Sequence, residues 1–187
     1  MVKSPHQTLP FEEFLKLPET KPAREYIDGE IVQKPMPQGK HSRIQGALLT
    51  KINLMAENQR IAYAFPELRC TFAGRSIVPD VVVLRWERIP RDEKGEIANI
   101  FADYPDWIIE ILSPEQNLLQ VTKKIIHCLK YGTVLGWLIV PEDHSIFVYP
   151  QGQSPQFLED KDDLLPVPNF LPQLQLTVGE VFSWLKL

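Results

Sequence analysis

The chain has little of what usually marks a secreted, membrane or nucleotide-cradling protein. It holds two cysteines in 187 residues, Cys70 and Cys128, with neither a metal-ligand spacing nor a disulfide framework. Both read as reduced thiols. The opening Met1-Val2-Lys3-Ser4-Pro5-His6 lacks the apolar stretch of a signal peptide, so a cytoplasmic location is expected. No apolar run approaches the roughly 18 residues that span a bilayer, which argues against a membrane role. There is no glycine-rich phosphate loop and no Ser-His-Asp order. No repeat or low-complexity segment interrupts the chain. A net charge of −4 argues against a constitutive nucleic-acid coat protein.

What is present is an ordinary globular composition, 44% apolar and 24% charged, long enough for one domain over 1–187 with a real core. Charge is unevenly spread. Residues 31–78 carry seven Lys or Arg against two acids, and residues 141–187 carry two against seven. The basic stretch reads either as a local polyanion site or as surface scatter.

Hydrophobic periodicity sets the expected elements. Thr8 to Leu15 predicts a short helix capped by Thr8. Arg24 to Lys34 predicts a hairpin turning at Asp28-Gly29. Ile44, Leu48, Ile52 and Met55 repeat at helical spacing within a helix from about Ser42 to Asn58. Strands are expected at 61–65, 68–72, 77–84 and 107–112. A charged surface excursion covers 85–103. A helix follows from about Gln116 to Tyr131, ended by Gly132. Two more strands, 136–140 and 145–149, precede an acidic loop and an amphipathic C-terminal segment, 178–187. This order gives an α/β domain with a central mixed sheet flanked by helices.

Two acids break the apolar pattern: Asp80 in Val78-Pro79-Asp80-Val81-Val82-Val83-Leu84, and Glu110 in Trp107-Ile108-Ile109-Glu110-Ile111-Leu112. An unpaired carboxylate in a core strand costs on the order of several kcal/mol. Asp80 reads either as a turn cap after Pro79 or as a ligand. Glu110 reads either as an acid satisfied by Arg69 or Arg75, or as the second ligand. On neighbouring strands the two would converge, and hard oxygen ligands with no Cys or His cluster favour Mg²⁺ or Mn²⁺. Lys124 lies at the edge of the apolar stripe Leu118, Val121, Ile125, Cys128, where it can snorkel toward the carboxylate strand; Lys123 points about 100° away and reads as solvated. Asp106 reads as a loop acid. Trp107, Trp137 and Trp184 read as core aromatics, and Trp86, in the charged excursion, reads as a candidate base-stacking group.

These residues resemble the PD-(D/E)XK superfamily, the restriction-endonuclease-like fold. Pro79-Asp80 matches its first motif, and Glu110 matches its second acid 30 positions later. The lysine expected two residues on is Leu112 here. One branch of endonuclease-like proteins, long catalogued as a domain of unknown function, shares that departure and takes its lysine from the next helix, where Lys124 stands. Tyr26-Ile27-Asp28-Gly29-Glu30-Ile31-Val32, His41, Pro105-Asp106 and Gly136-Trp137-Leu138-Ile139-Val140-Pro141 extend the resemblance over nearly the whole chain. It implies a restriction-endonuclease-like fold and a Mg²⁺- or Mn²⁺-dependent endodeoxyribonuclease. Asp80 and Glu110 would be the metal ligands and Lys124 the catalytic lysine. Glu30 would be an additional acid where the alternative is a solvated hairpin residue, and His41 a phosphate or water contact where the alternative is a cap. DNA is the implied substrate, with a homodimer to cut both strands.

Family members typically carry aspartate at the position of Gln120 and tyrosine at that of Cys128. Those departures support a second reading, a weakened or inactive relative that binds nucleic acid or a protein. A third, an enzyme acting on another phosphoester or a small molecule, stays open because nothing in the chain reads a sequence of bases.

Overall fold

The computed structural model describes residues 9–186. The elements are α1 (Phe11–Phe14), β1 (Arg24–Ile27), β2 (Glu30–Gln33), α2 (Gly39–Ala56), β3 (Ala62–Pro66), β4 (Cys70–Phe72), β5 (Arg75–Ile77), β6 (Val81–Arg85), β7 (Trp107–Ile111), α3 (Leu118–Tyr131), β8 (Leu135–Val140), β9 (Ser145–Pro150), β10 (Gln156–Leu158) and α4 (Val178–Ser183). The expected helix cap Thr8 lies outside the described residues, and Pro10 stands at the N-cap of α1.

The central mixed sheet has six strands in the order β10-β9-β8-β7-β6-β3. Only β7 and β8 run parallel, joined through α3. Strand alternation sorts the side chains. Val81, Val83, Trp107, Ile109, Ile111, Trp137 and Ile139 face α2 and the C-terminal segment, where they meet Ile44, Leu48 and Ile52. Trp107 and Trp137 pack edge to face at 4.7 Å. Val82, Leu84, Ile108 and Leu138 face α3 and meet Val121, Ile125 and Cys128. Both faces are covered, which explains the continuous apolar runs of β6, β7 and β8.

Against this frame lies a second, four-stranded sheet, β2-β1-β5-β4. The turn between β1 and β2 places Asp28 at φ 51° and Gly29 at φ 89°, the two positive values of the tight hairpin expected there. The expected strand over 77–84 is instead two strands in two sheets. Val78-Pro79-Asp80 separates β5 from β6, because Pro79 has no N–H to give a ladder. The charged segment after β6 is not wholly superficial: Ile89 and Phe101 are buried, and Trp86 packs half-buried against the α3-side core. Trp184 packs partly buried against the α2-side core. β10 went unforeseen; its three residues are mostly exposed, pair only with β9 and lack a buried face to imprint a pattern.

The helix α3 is capped by the Asn117 side chain, which accepts from the Leu119 N–H at 2.9 Å, and stops at Gly132, φ 129°. Its Ile125 side chain rests against the backbone of β8 at Gly136. A Cβ at Gly136 would collide with Cγ2 of Ile125, so glycine is required there by approach rather than by backbone angle. Gly136→Ala is expected to destabilise the protein by about 1–3 kcal/mol, the usual cost of overpacking. Chemical denaturation checks this; an unchanged midpoint would refute the close approach.

Candidate active site

The antiparallel pairing of β6 with β7 matches Val81 to Ile109 and Val82 to Ile108. One further step of that register brings Asp80 opposite Glu110, on the face covered by α3. Both acids are 1% exposed. Around them the fold assembles four more polar side chains: Glu25 from β1, Lys34 just after β2, His41 from the first turn of α2 and Lys124 from α3, all buried.

Each Asp80 oxygen is occupied. Oδ1 accepts from Lys34 Nζ at 2.7 Å. Oδ2 accepts from the Ile111 N–H at 2.7 Å and lies 3.1 Å from His41 Nε2. Lys124 Nζ sits between two carboxylates, 3.0 Å from Glu25 Oε1 and 2.9 Å from Glu110 Oε1. The contact with Glu110 is an ion pair without hydrogen-bond alignment, and Glu110 Oε1 is a buried oxygen with no hydrogen bond. His41 Nδ1 is likewise buried without a partner.

Burial alone would raise the pKa of Asp80, but Lys34, then His41 and Lys124, outweigh it and hold the carboxyl well below its ordinary range. Glu110 goes the other way. Burial pushes it up to about 8, Asp80 and Glu25 add to the rise, and Lys124 and Lys34 only partly oppose it. Burial opposes the charge on Lys124, but Glu110, Glu25 and Asp80 together hold its pKa above the ordinary lysine range. Besides His41, the cluster thus sets three carboxyl groups against two lysines, and burial favours the protonated form of Glu110.

Four of the five residues singled out in the sequence, Asp80, Glu110, Lys124 and His41, meet here. Glu30 does not enter the buried cluster. It sits exposed on β2 at the rim of the adjoining cleft, and the third buried acid is Glu25 on the partner strand. Neither Arg69 nor Arg75 serves Glu110; Arg69 pairs with Glu19 and Arg75 with Asp28. Asp106 accepts from the Arg85 N–H and side chain and pairs with Arg88, outside the cluster. Lys123 is exposed. Glu25 and Lys34 were missed. Their only signal was a charged residue at each end of a hairpin whose inward face the sequence did not fix.

A cleft of about 750 Å³ opens between the β1–β2 hairpin and the start of α3, with Glu25, Lys34 and Lys124 on its inner wall and Glu30, Gln120 and Lys123 nearer its mouth. The donor set fits a hard divalent ion: Asp80 and Glu110 offer carboxylate oxygens, one of them without a hydrogen bond. Among the described residues no three His, Cys, Asp or Glu side chains form a complete cage. Remaining ligands would come from backbone carbonyls, water or substrate phosphate, as is usual for Mg²⁺.

A pH dependence of stability follows. The folded-state pKa of Glu110, about 8, exceeds the ordinary 4.5. The native state therefore binds the extra proton between those values. Its contribution is fully present below about pH 4.5 and is lost as pH rises through 8. Glu110→Gln, which cannot ionise, should flatten the decline in metal-free stability between pH 5 and 8.5, a change on the order of a few kcal/mol. Urea titrations across that range check it; parallel curves for both proteins would refute it.

The comparisons with known proteins agree with this architecture. The family model Uma2, described as "Putative restriction endonuclease", matches residues 11–179. No curated protein matches the chain. The crystal structure of "a putative nuclease belonging to DUF820" from Anabaena variabilis is similar over 95% of this chain and 99% of that one, with a TM-score of 0.93 and 56% identity. That likeness gives the two-sheet α/β arrangement its class, the restriction-endonuclease-like fold. The chain belongs to the Uma2 family, the restriction-endonuclease-like group its carboxylate and lysine pattern resembles.

Proposed function

We propose that the protein is a Mg²⁺- or Mn²⁺-dependent endodeoxyribonuclease whose metal ligands are Asp80 and Glu110. The observation that carries the reading is the placement of Asp80 at the entrance of β6 beside Glu110 of the adjacent β7, both buried, with Lys124 Nζ 2.9 Å from Glu110. Family membership supports nucleic acid as the substrate class. A divalent ion in such a site supplies Lewis acidity toward a phosphodiester and eases ionisation of water.

The chain's own residues do the rest. Lys124, clamped by Glu25 and Glu110, presents a fixed ammonium at the cleft wall. There it orients the attacking water and offsets charge that grows on the phosphoryl oxygens, without reorganising during the reaction. His41 and the Ile111 N–H fix the plane of the Asp80 carboxylate. Glu30, at the rim, stands where incoming substrate passes. Cutting both strands of a duplex in one encounter would require two such sites, which a homodimer supplies. A DNA substrate fits the cytoplasmic location expected from the sequence; among the described residues no helix is long and apolar enough to cross a membrane.

The competing reading, a non-catalytic binding module, rests on Gln120 and Cys128. Two features favour catalysis. Lys124 has its carboxylate partners in Glu25 and Glu110, so Gln120, exposed at the cleft, deprives it of nothing essential. Cys128 is fully buried against the α3-side core, away from the cleft wall.

Purified protein should nick supercoiled plasmid with Mg²⁺ or Mn²⁺. Asp80→Asn and Glu110→Gln should each lose at least about 100-fold in rate, in the range expected when electrostatic stabilisation is removed. Lys124→Met should do likewise, and Glu30→Gln should stay within about tenfold. Circular dichroism confirms that each variant is folded. Undiminished nicking by both carboxylate variants would refute the site.

A further inference from the structure

Lys34 is the second buried lysine of the cluster, and the mechanism above leaves it without a task. Its ammonium donates to Asp80 Oδ1 and to the Val78 carbonyl, both at 2.7 Å. The two oxygens of Asp80 differ in what holds them. Oδ2 is bound by the backbone N–H of Ile111 and faces His41, groups fixed by a central strand and a helix. Oδ1 is bound by a flexible four-carbon side chain from the end of a hairpin. Lys34 also borders two spaces at once, the large cleft shared with Lys124 and a small chamber lined by His41, Asp80 and Ser113.

We propose that Lys34 is a displaceable internal counter-ion, holding the ligand face of Asp80 until a divalent cation takes its place, whereupon its ammonium turns into the cleft to meet substrate phosphate. The inference rests on the assignment of Asp80 and Glu110 as metal ligands.

Charge balance supports displacement over coexistence. Three buried carboxylates face two ammonium groups. A divalent ion added beside both lysines would leave the ionised cluster with surplus positive charge in a low-dielectric interior. The same ion in exchange for Lys34 leaves the carboxylates, Lys124 and the ion in balance, with a neutral His41 beside them. Lys124 is the poorer candidate to leave, since two carboxylates hold it and Lys34 has one. The open cleft gives the Lys34 ammonium a solvated place to go, which removes the main cost of breaking a buried pair.

The test is Mn²⁺ binding by titration calorimetry at fixed pH, on the wild type, Lys34→Met and Lys34→Arg, each with and without Glu110→Gln. Removing the competitor should tighten Mn²⁺ binding at least tenfold in Lys34→Met, while Lys34→Arg, which keeps the charge, should return affinity to the wild-type value or below. Thermal melts guard against misfolding: Lys34→Met should melt lower without metal and gain more from saturating Mn²⁺ than the wild type does. Binding that needs Glu110 but fails to tighten in Lys34→Met overturns the role of Lys34 alone. Binding indifferent to Glu110→Gln, or no binding in any variant, overturns the metal-site assignment and the Lys34 proposal with it.

Discussion

Lys124 ties three parts of the molecule to one point. Its ammonium, carried by α3, pairs with Glu25 of the small sheet and Glu110 of the large one. Lys34 and Asp80 repeat the arrangement, joining the end of the hairpin to the entrance of β6. A buried pair of this kind is a poor source of net stability, because desolvating the charges costs about what their attraction returns. It is a strong source of specificity, since removing one partner strands a charge and costs about 3–5 kcal/mol. The two sheets are therefore held in one relation, and the cleft between hairpin and α3 has a defined inner wall.

The short link Val78-Pro79-Asp80 shows how the constraint is met in the backbone. These residues leave one sheet and enter another, so their peptide groups lose strand partners and must find others. The Val78 N–H donates to Glu25 Oε1, and the Val78 carbonyl accepts from Lys34. Pro79 has no N–H to satisfy. The Asp80 carbonyl accepts from Gln45 Nε2 and the Glu67 N–H. Two members of the charged cluster, Glu25 and Lys34, thus also help make the strand break tolerable. Glu25 serves Lys124 and Val78 through one oxygen, which couples the electrostatics of the cluster to the path of the chain.

This coupling also explains what the sequence could convey. Asp80 and Glu110 stood out because each interrupts an apolar run, and a core strand tolerates no idle carboxylate. The register between their strands is a tertiary fact, yet alternation alone put Glu110 on the face opposite Ile109 and Ile111, where α3 lies. Glu25 and Lys34 carried no comparable signal. Arg24-Glu25-Tyr26-Ile27 reads the same whether the hairpin floats in solvent or lies against the sheet, and a lysine before Pro35 reads as solvated. What buries them is the second sheet, formed when β1 pairs antiparallel with β5 across nearly 50 residues of sequence. Glu30 was drawn toward the site by resemblance, and its strand proved to be the exposed edge of that sheet. The run from Ile77 to Leu84 misled for a related reason: hydrophobicity is continuous across it, but Pro79 lets its halves join different sheets.

The relocation of the lysine from strand to helix that the resemblance implies has a packing explanation. Leu112, where the strand lysine would stand, donates its N–H to the Ile139 carbonyl, and its side chain packs partly buried against the α3-side core. That position supports the contact between sheet and helix. An ammonium must then reach Glu110 from above, which requires α3 to lie close to the sheet. Gly136 permits it: with no Cβ on β8, Ile125 sinks against the strand backbone and carries its neighbour Lys124 down with it. The lysine ends 2% exposed, within 2.9 Å of the acid. Leucine at 112 and glycine at 136 thus belong to one solution, in which the strand supplies the carboxylate, the helix supplies the cation, and the missing Cβ sets the distance between them.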